Sequence, residues 1–115
     1  MSFDAMVTSP GRLSILTALA SEPRQPFVQL RQRTGLTDGN LATHARRLQA
    51  AGFVAIQKSI EEGKPLTMLH LTNAGRNALA DHARQLLAAL DQASAAVAAA
   101  PISGDDDDHA DDWVD

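Results

Sequence analysis

The chain has no cysteine among its 115 residues, and aromatic side chains make up only 3% of it. The lack of cysteine excludes disulfide bridges, thiolate metal sites and thiol nucleophiles. The scarcity of aromatic residues means that the core is aliphatic. The longest apolar run, around residues 93–101, is alanine-rich and shorter than the roughly 20 strongly apolar residues of a membrane span. No basic segment precedes an apolar run at the N-terminus, so we expect no signal peptide and a cytoplasmic protein.

Alanine, in contrast, is abundant, with 21 residues. This content favours helices and argues against an all-β sandwich or barrel. The charge is divided along the chain, because residues 1–80 carry a net charge of +4 and residues 81–115 carry −8. Such asymmetry is typical of a body that binds a polyanion and is followed by an acidic tail.

Local signals divide the first half of the chain into three helices. We expect residues 1–9 to fray, since they show no period. Proline begins a first helix at residues 10–21 and a second, short one at residues 26–34. Glycine follows as the C-cap of the second helix. A third helix begins after the N-cap Thr37 and ends before a glycine.

The period changes from helix to strand after the third helix. Alternating residues at 53–58 and the short segment 67–71 predict two strands, joined by a turn at 61–65 into a β-hairpin. A long helix at 72–100 follows, capped by threonine. The aspartate-rich segment 101–115 is predicted to be disordered. The fold class is therefore mainly α with a small β-hairpin (α+β), a winged helix-turn-helix with a long C-terminal helix for dimerisation.

The third helix carries an unusual polar face. Leu41, Ala45 and Leu48 recur at helical spacing and are expected to face inward. An ordinary solvated face would carry Glu and Lys pairs, but the outward side of this helix consists of Asn40, Thr43, His44 and Arg47, with Thr37 and Asp38 at its start. Such a mixture of donors and acceptors suits the reading of base edges in a major groove.

Two segments in this order resemble a known family. Residues 36–54, which begin Leu-Thr-Asp-Gly-Asn-Leu and end Ala-Gly-Phe-Val, and residues 58–79 are similar to small winged-helix transcriptional regulators related to the MarR and ArsR types. The resemblance spans about residues 10–80. It implies a homodimeric DNA-binding regulator, with a repressor as the expected role. The resemblance also implies which residues contact DNA, and we include the adjacent basic residue Arg46 among them. The predicted contacts to double-stranded DNA are Thr37, Asn40, Thr43, His44, Arg46, Arg47, Lys58 and Lys64.

The predicted wing departs from its relatives. Wings of this kind are usually basic, but Glu61 and Glu62 lie near the tip beside Lys64, and carboxylates repel phosphate. Either the tip points away from DNA or the wing contributes little to binding. The alternative function is a winged-helix protein-interaction module that does not bind DNA. If DNA is the partner, a set of basic residues should cluster on the side of the third helix, namely Arg31, Arg33, Arg46, Arg47 and Lys58.

The closing helix carries an apolar stripe with alternating steps of four and three residues. The stripe consists of Leu79, Ala83, Leu86, Leu90, Ala93, Val97 and Ala100. A heptad pattern of this length predicts pairing with a second copy. In the alternative interpretation the stripe covers the first helix of its own domain, together with Leu87.

Metal binding and catalysis have little support. The four histidines, His44, His70, His82 and His109, show no spacing typical of converging ligands. No serine, histidine and carboxylate motif and no glycine-rich phosphate loop is present. We therefore predict no enzyme, no cofactor, no metal and no membrane partner, and the sequence assigns no small-molecule effector.

Overall fold

The computed structural model describes residues 4–99, and the side chains up to residue 96. Its elements follow in the order α1 (Ala5–Thr8), α2 (Pro10–Ser21), β1 (Arg24–Pro26), α3 (Phe27–Thr34), α4 (Asp38–Ala50), β2 (Val54–Glu61), β3 (Lys64–Leu71) and α5 (Asn73–Ala99). The chain divides into two units after Gln85, within α5. The α+β class and the winged helix order are confirmed, whereas the predicted tail at 101–115 lies outside the described residues.

The caps expected from the sequence determine where α3 and α4 end and begin. Gly35 follows α3 with a φ of 71°, and its N–H donates to the Arg31 carbonyl oxygen at 3.0 Å. Glycine suits this left-handed position because it has no Cβ. The Thr37 hydroxyl oxygen accepts from the Asn40 N–H at 3.1 Å and so caps α4. The short turn between the two caps sets the angle at which α4 projects.

The core is aliphatic, as expected from the scarcity of aromatic residues. Its buried side chains come from helices α1 to α4 and from strands β2 and β3, while Phe27 and Phe53 are only partly buried at its margin. The buried hydrophobic residues are Val7, Ile15, Leu16, Leu19, Leu30, Leu41, Ala45, Leu48, Val54, Leu69 and Leu71.

The hairpin is longer and tighter than predicted. Strands β2 and β3 pair antiparallel from Val54 opposite Leu71 to Glu61 opposite Lys64. Only Glu62 and Gly63 remain for the turn, with φ angles of 53° and 76°. Two residues with positive φ match the turn that best fits strand twist. The outer half of each strand is largely exposed on both faces. Apolar and polar residues therefore do not alternate there, and the sequence pattern does not mark this part as strand.

A third strand and an extra helix were not expected. Strand β1 pairs with β3, giving the sheet order β1-β3-β2. It is anchored by the fully buried Gln25, whose Nε2 donates to the carbonyl oxygens of Ala18 at 2.8 Å and Glu22 at 2.7 Å. The prediction that residues 1–9 fray is wrong for α1, where Val7 is fully buried. Elements of three and four residues are too short to show a period.

Helix α5 begins in close contact with the start of the hairpin. The Thr72 hydroxyl donates to the Gly52 carbonyl oxygen at 2.6 Å and accepts from the Gly75 N–H at 3.0 Å. This confirms Thr72 as the cap of the closing helix. Within residues 4–99, no helix is long and apolar enough to cross a membrane.

Candidate functional site

Helix α4 is held by one face and exposed on the other. Leu41 and Leu48 are fully buried and Ala45 is 2% exposed, as the sequence predicts. The opposite side is exposed, and its polar side chains are those of Asn40, Thr43, Arg46 and Arg47. The polar face can therefore meet a partner without disturbing the core.

The first turn of α4 is already organised by its own contacts. The Thr37 oxygen is occupied by the cap, which leaves the hydroxyl hydrogen as its donor. The Asp38 carboxylate accepts from Arg31 Nη1 at 2.9 Å. Its negative charge also suits the positive end of the helix dipole. Asp38 therefore neutralises Arg31 at this end of the helix.

His44 is placed differently from its neighbours on the predicted reading face. It is half-buried, and its ring lies so close to α2 that a Cβ on Gly11 would be 2.5 Å from Nε2. Arg12 Nη1 lies 3.4 Å from His44 Nδ1. Burial, followed by the positive charges of Arg12 and Arg47, lowers the pKa of His44. Its ring thus fills the contact between α4 and α2, and DNA contact by His44 stays a prediction.

Arg12 is a residue that the sequence analysis missed. Its Nε donates to the Met6 carbonyl oxygen at 2.8 Å and its Nη2 to the Ala5 carbonyl oxygen at 3.2 Å. It thereby ties α1 to α2 and places a fixed cation beside α4. No local motif could have indicated this role, because the contact with His44 spans 32 positions of the chain.

A cleft of about 500 Å³ separates α4 from the hairpin. Its lining is mostly apolar and includes two cations, Arg46 and Lys58. The lining residues are Phe27, Ala42, Ala45, Arg46, Gln49, Ile56, Lys58, Thr67 and Leu69. The structure therefore brings together Arg46 of the helix and Lys58 of the wing, which lie 12 positions apart in the sequence.

The two faces of the hairpin differ in charge. Side chains of directly opposed residues share a face, and successive pairs alternate. Lys58 is opposite Thr67, and both line the cleft. Glu61 is opposite Lys64, an odd number of positions further on, and therefore belongs to the other face. Lys58 thus lies on the face that lines the cleft, whereas Lys64 lies opposite Glu61 on the other face of the hairpin.

Two members of the expected basic cluster form ion pairs with carboxylates. Arg33 Nη2 lies 3.4 Å from Glu22 Oε1, and Arg31 is held by Asp38. Arg33 also lines a shallow depression formed mainly by α2, away from the cleft. Arg31 therefore lies at the start of α4 with its charge offset by Asp38, and Arg46 and Lys58 share the cleft.

The apolar stripe of α5 has two parts. Leu79 is partly buried and packs against the core of its own domain. Further along, Leu86, Leu87 and Leu90 are 46%, 61% and 55% exposed, and Ala83 and Ala93 are exposed too. Pairing of the stripe with a second copy, and the alternative in which it covers the first helix together with Leu87, both stay predictions. The side chain of Val97, and Ala100, lie outside the described residues.

The described part of the chain contains no group of three or more histidine and carboxylate side chains placed to hold a metal ion. Within residues 4–99, acidic and basic side chains form three surface ion pairs, at Arg31 and Asp38, Arg33 and Glu22, and Arg84 and Asp81.

Known proteins are similar to this chain in sequence and in fold. The family of winged helix DNA-binding domains matches residues 12–90. An uncharacterized protein of Methanocaldococcus jannaschii is 36% identical over 76 residues, which cover 66% of this chain and 83% of that protein. The structure of a transcriptional regulator homologue from Pyrococcus horikoshii is similar with a TM-score of 0.72 and 31% identity, covering 76% of this chain and 86% of that one.

A more distant structure shows likeness of fold alone. It is a MarR-family transcriptional regulator from Silicibacter pomeroyi, with a TM-score of 0.57 and 20% identity. The alignment covers 87% of this chain and 77% of that one.

Proposed function

The chain belongs to the winged helix DNA-binding domain family and is a DNA-binding transcriptional regulator, and we propose that it acts as a homodimer that represses by occupying a specific operator. The observation that carries the proposal is the division of α4 into a buried apolar face and an exposed polar face. The family's regulators act by binding, so we propose no catalytic role. A cytoplasmic location follows from a DNA partner.

Base reading is assigned to the exposed side chains of α4. An asparagine can bond both N6 and N7 of adenine, and an arginine both O6 and N7 of guanine. We assign these contacts to Asn40 and Arg47, and a contact with a thymine methyl group or a base edge to Thr43. The hydroxyl oxygen of Thr37 accepts the cap hydrogen bond, so its hydrogen can be donated to a phosphate at the start of the helix. His44, with its lowered pKa, enters as a neutral ring that supports α4 and reaches DNA only at its edge.

Phosphate contacts are assigned to the walls of the cleft. Arg46 and Lys58 lie on two different elements but face the same space, so they can hold one DNA strand between helix and wing. Lys64 lies opposite Glu61, and its contribution is expected to be smaller. The Glu61 carboxylate is thus compatible with DNA binding, since it belongs to the face away from α4.

Dimerisation is assigned to the exposed apolar part of α5. A solvated helix gains nothing from three exposed leucines, whereas burial against a second copy releases roughly 25 cal/mol for each Å² of apolar surface. The small residues Ala83 and Ala93 allow two helices to approach closely. A twofold dimer presents two copies of α4, which suits half-sites separated by about one turn of DNA, ~34 Å.

The proposed function is tested by selecting bound sequences from a random DNA pool and measuring affinity at several salt concentrations. We expect log K to fall linearly with log[salt], with a slope proportional to the number of phosphate contacts. Lys58→Ala should reduce the slope by about 0.9. Arg33→Ala also removes one positive charge, but from the side of α2, and should leave the slope unchanged.

Base reading is tested separately with Arg47→Ala on the selected sequence. Loss of one good bidentate contact costs about 1–3 kcal/mol and relaxes the preference at one base pair. An unchanged preference would remove Arg47 from the reading surface. If the wild type binds no duplex even at low salt, the protein-interaction module becomes the better explanation.

A further inference from the structure

The sequence contains a tryptophan that the proposed contacts do not use. Trp113 is the only tryptophan of the chain and lies outside the described residues. It stands next to Val114 in the acidic segment, residues 105–115, which contains seven aspartates. Segments whose charge keeps them in solvent are poor in aromatic residues. A large apolar side chain among these aspartates therefore indicates a surface against which it packs.

The cleft between α4 and the hairpin has the complementary chemistry. Its lining includes the partly buried Phe27 and Ile56 and the cations Arg46 and Lys58, and none of its described residues is acidic. Within residues 4–99, neither cation takes part in an ion pair. The volume of about 500 Å³ lies in the range of sites that bury small organic molecules. An aromatic ring with carboxylates beside it therefore suits both the lining and its charge.

We propose that the acidic segment binds in this cleft, with Trp113 against the apolar lining and aspartates beside Arg46 and Lys58. The same two cations are assigned to DNA phosphates, so the bound segment and a DNA strand exclude each other. This exclusion rests on the proposed function, whereas the occupation of the cleft does not. The acidic segment is thus an internal inhibitor of DNA binding.

Charge and attachment favour this segment over other occupants. Residues 1–80 carry a net charge of +4, whereas residues 105–115 contain seven aspartates and no lysine or arginine. Because the segment is covalently part of the protein, it meets the cleft at a high effective concentration. A weak contact is then sufficient to fill the cleft in a large part of the molecules.

The tryptophan distinguishes binding in the cleft from a general effect of charge. An aspartate-rich segment without an anchor competes with phosphate through electrostatic attraction alone. A segment bound in an apolar cleft also depends on the side chain at position 113, since a buried tryptophan removes about 150–250 Å² of surface from water. Replacing Trp113 at constant charge therefore tests the contact.

Fluorescence of the full chain reports the contact directly, because Trp113 is its only tryptophan. Without DNA, the emission should lie at shorter wavelength, and be less quenched by acrylamide, than that of a synthetic peptide of residues 101–115. Adding the selected duplex should return both properties to those of the peptide. If the full chain without DNA emits and is quenched like the peptide, the inference is wrong.

Two double variants of equal charge locate the site. Arg46→Ala with Lys58→Ala removes both cations of the cleft, whereas Arg31→Ala with Arg33→Ala removes two cations that pair with carboxylates outside it. The first should change the emission of Trp113 to that of the peptide, and the second should leave it unchanged. Far-UV circular dichroism checks that both are folded. A shifted emission that neither variant alters would mean that Trp113 packs on another surface, and would refute the site.

Trp113→Ala and Trp113→Phe test the effect on DNA binding while all seven aspartates remain. If the segment fills the cleft in about two thirds of the molecules, it weakens the apparent affinity about threefold. Trp113→Ala should therefore bind the operator about threefold more tightly than the wild type. Trp113→Phe keeps an aromatic ring and should match the wild type. If Trp113→Ala also matches it, inhibition through the cleft is refuted.

The outcomes separate this inference from the proposed function. A wild type that binds its operator but emits like the peptide refutes the occupied cleft and leaves the proposed function standing. A wild type that binds no duplex refutes the proposed function and the inhibition. If its emission is nevertheless shifted, and is returned to that of the peptide by Arg46→Ala with Lys58→Ala, the occupied cleft is supported.

Discussion

Gly75 lies in the first turns of α5, where that helix meets the loop before β2. A Cβ at this position would lie 2.0 Å from the Phe53 carbonyl oxygen and 2.9 Å from Leu71 Cδ1. The carbonyl oxygen is backbone and already accepts from the Thr72 N–H at 3.1 Å. It cannot turn aside without losing that hydrogen bond. Gly75→Ala must therefore move the start of α5 away from the hairpin.

The expected destabilisation follows from two opposed effects. Alanine gains up to about 1 kcal/mol over glycine in helix propensity. Overpacking a close contact costs about 1–3 kcal/mol, and the overlap at 2.0 Å is with backbone rather than with the end of a side chain. A weakened hydrogen bond from Thr72 adds about 1 kcal/mol. We expect Gly75→Ala to lower the free energy of unfolding by about 2 kcal/mol.

Gly39 provides a matched control in α4. A Cβ there would meet nothing within 4 Å, and its φ is not positive. Gly39→Ala should therefore raise the free energy of unfolding by up to about 1 kcal/mol. The same chemical change is expected to act with opposite sign at the two positions.

Urea unfolding followed by circular dichroism measures both variants at one protein concentration, because the proposed dimerisation would make stability concentration-dependent. The midpoint should move while the m-value stays constant. Two results would contradict this reasoning: Gly75→Ala as stable as the wild type, or Gly39→Ala losing as much stability as Gly75→Ala. Close contact with Phe53 would then not be the reason that position 75 requires glycine.

Three further predictions concern pH, assembly and charge. The pKa of His44 is lowered from 6.5 in the folded state, so the unfolded chain binds more protons and stability falls as the pH drops through 6.5. His44→Gln should reduce this loss of stability. If the urea midpoints of the wild type and His44→Gln shift equally between pH 7.5 and 5, the prediction is wrong. Leu86→Glu combined with Leu90→Glu should give a folded monomer without operator binding; a wild type that sediments as a monomer at concentrations on the order of tens of micromolar would refute the dimer. Deleting residues 101–115 removes seven aspartates and should tighten binding to random duplex modestly, most at low salt; unchanged affinity and salt slope would reduce the segment to a solubility element.

Much of the helical framework could be predicted from the sequence because its signals are local. Helix α2 spans Pro10–Ser21 as expected from a proline at its start and from apolar spacing. The cap at Thr37 and the left-handed glycine at position 35 act over three or four residues. The buried face of α4 follows from a period of 3.6 residues. Each of these rules needs only neighbours along the chain, and the order of elements then restricts the fold.

The assembly of the surface depended on tertiary packing. Arg46 and Lys58 line the same cleft because the hairpin is placed against α4. The hairpin register puts Lys58 and Lys64 on opposite faces of the wing. His44 has the period of a reading residue, yet Gly11 leaves room for its ring against α2. Side chains that lie far apart in sequence meet only after the core has formed. A one-residue change of register would exchange the two faces of the wing, so no local pattern could determine which cations share a surface.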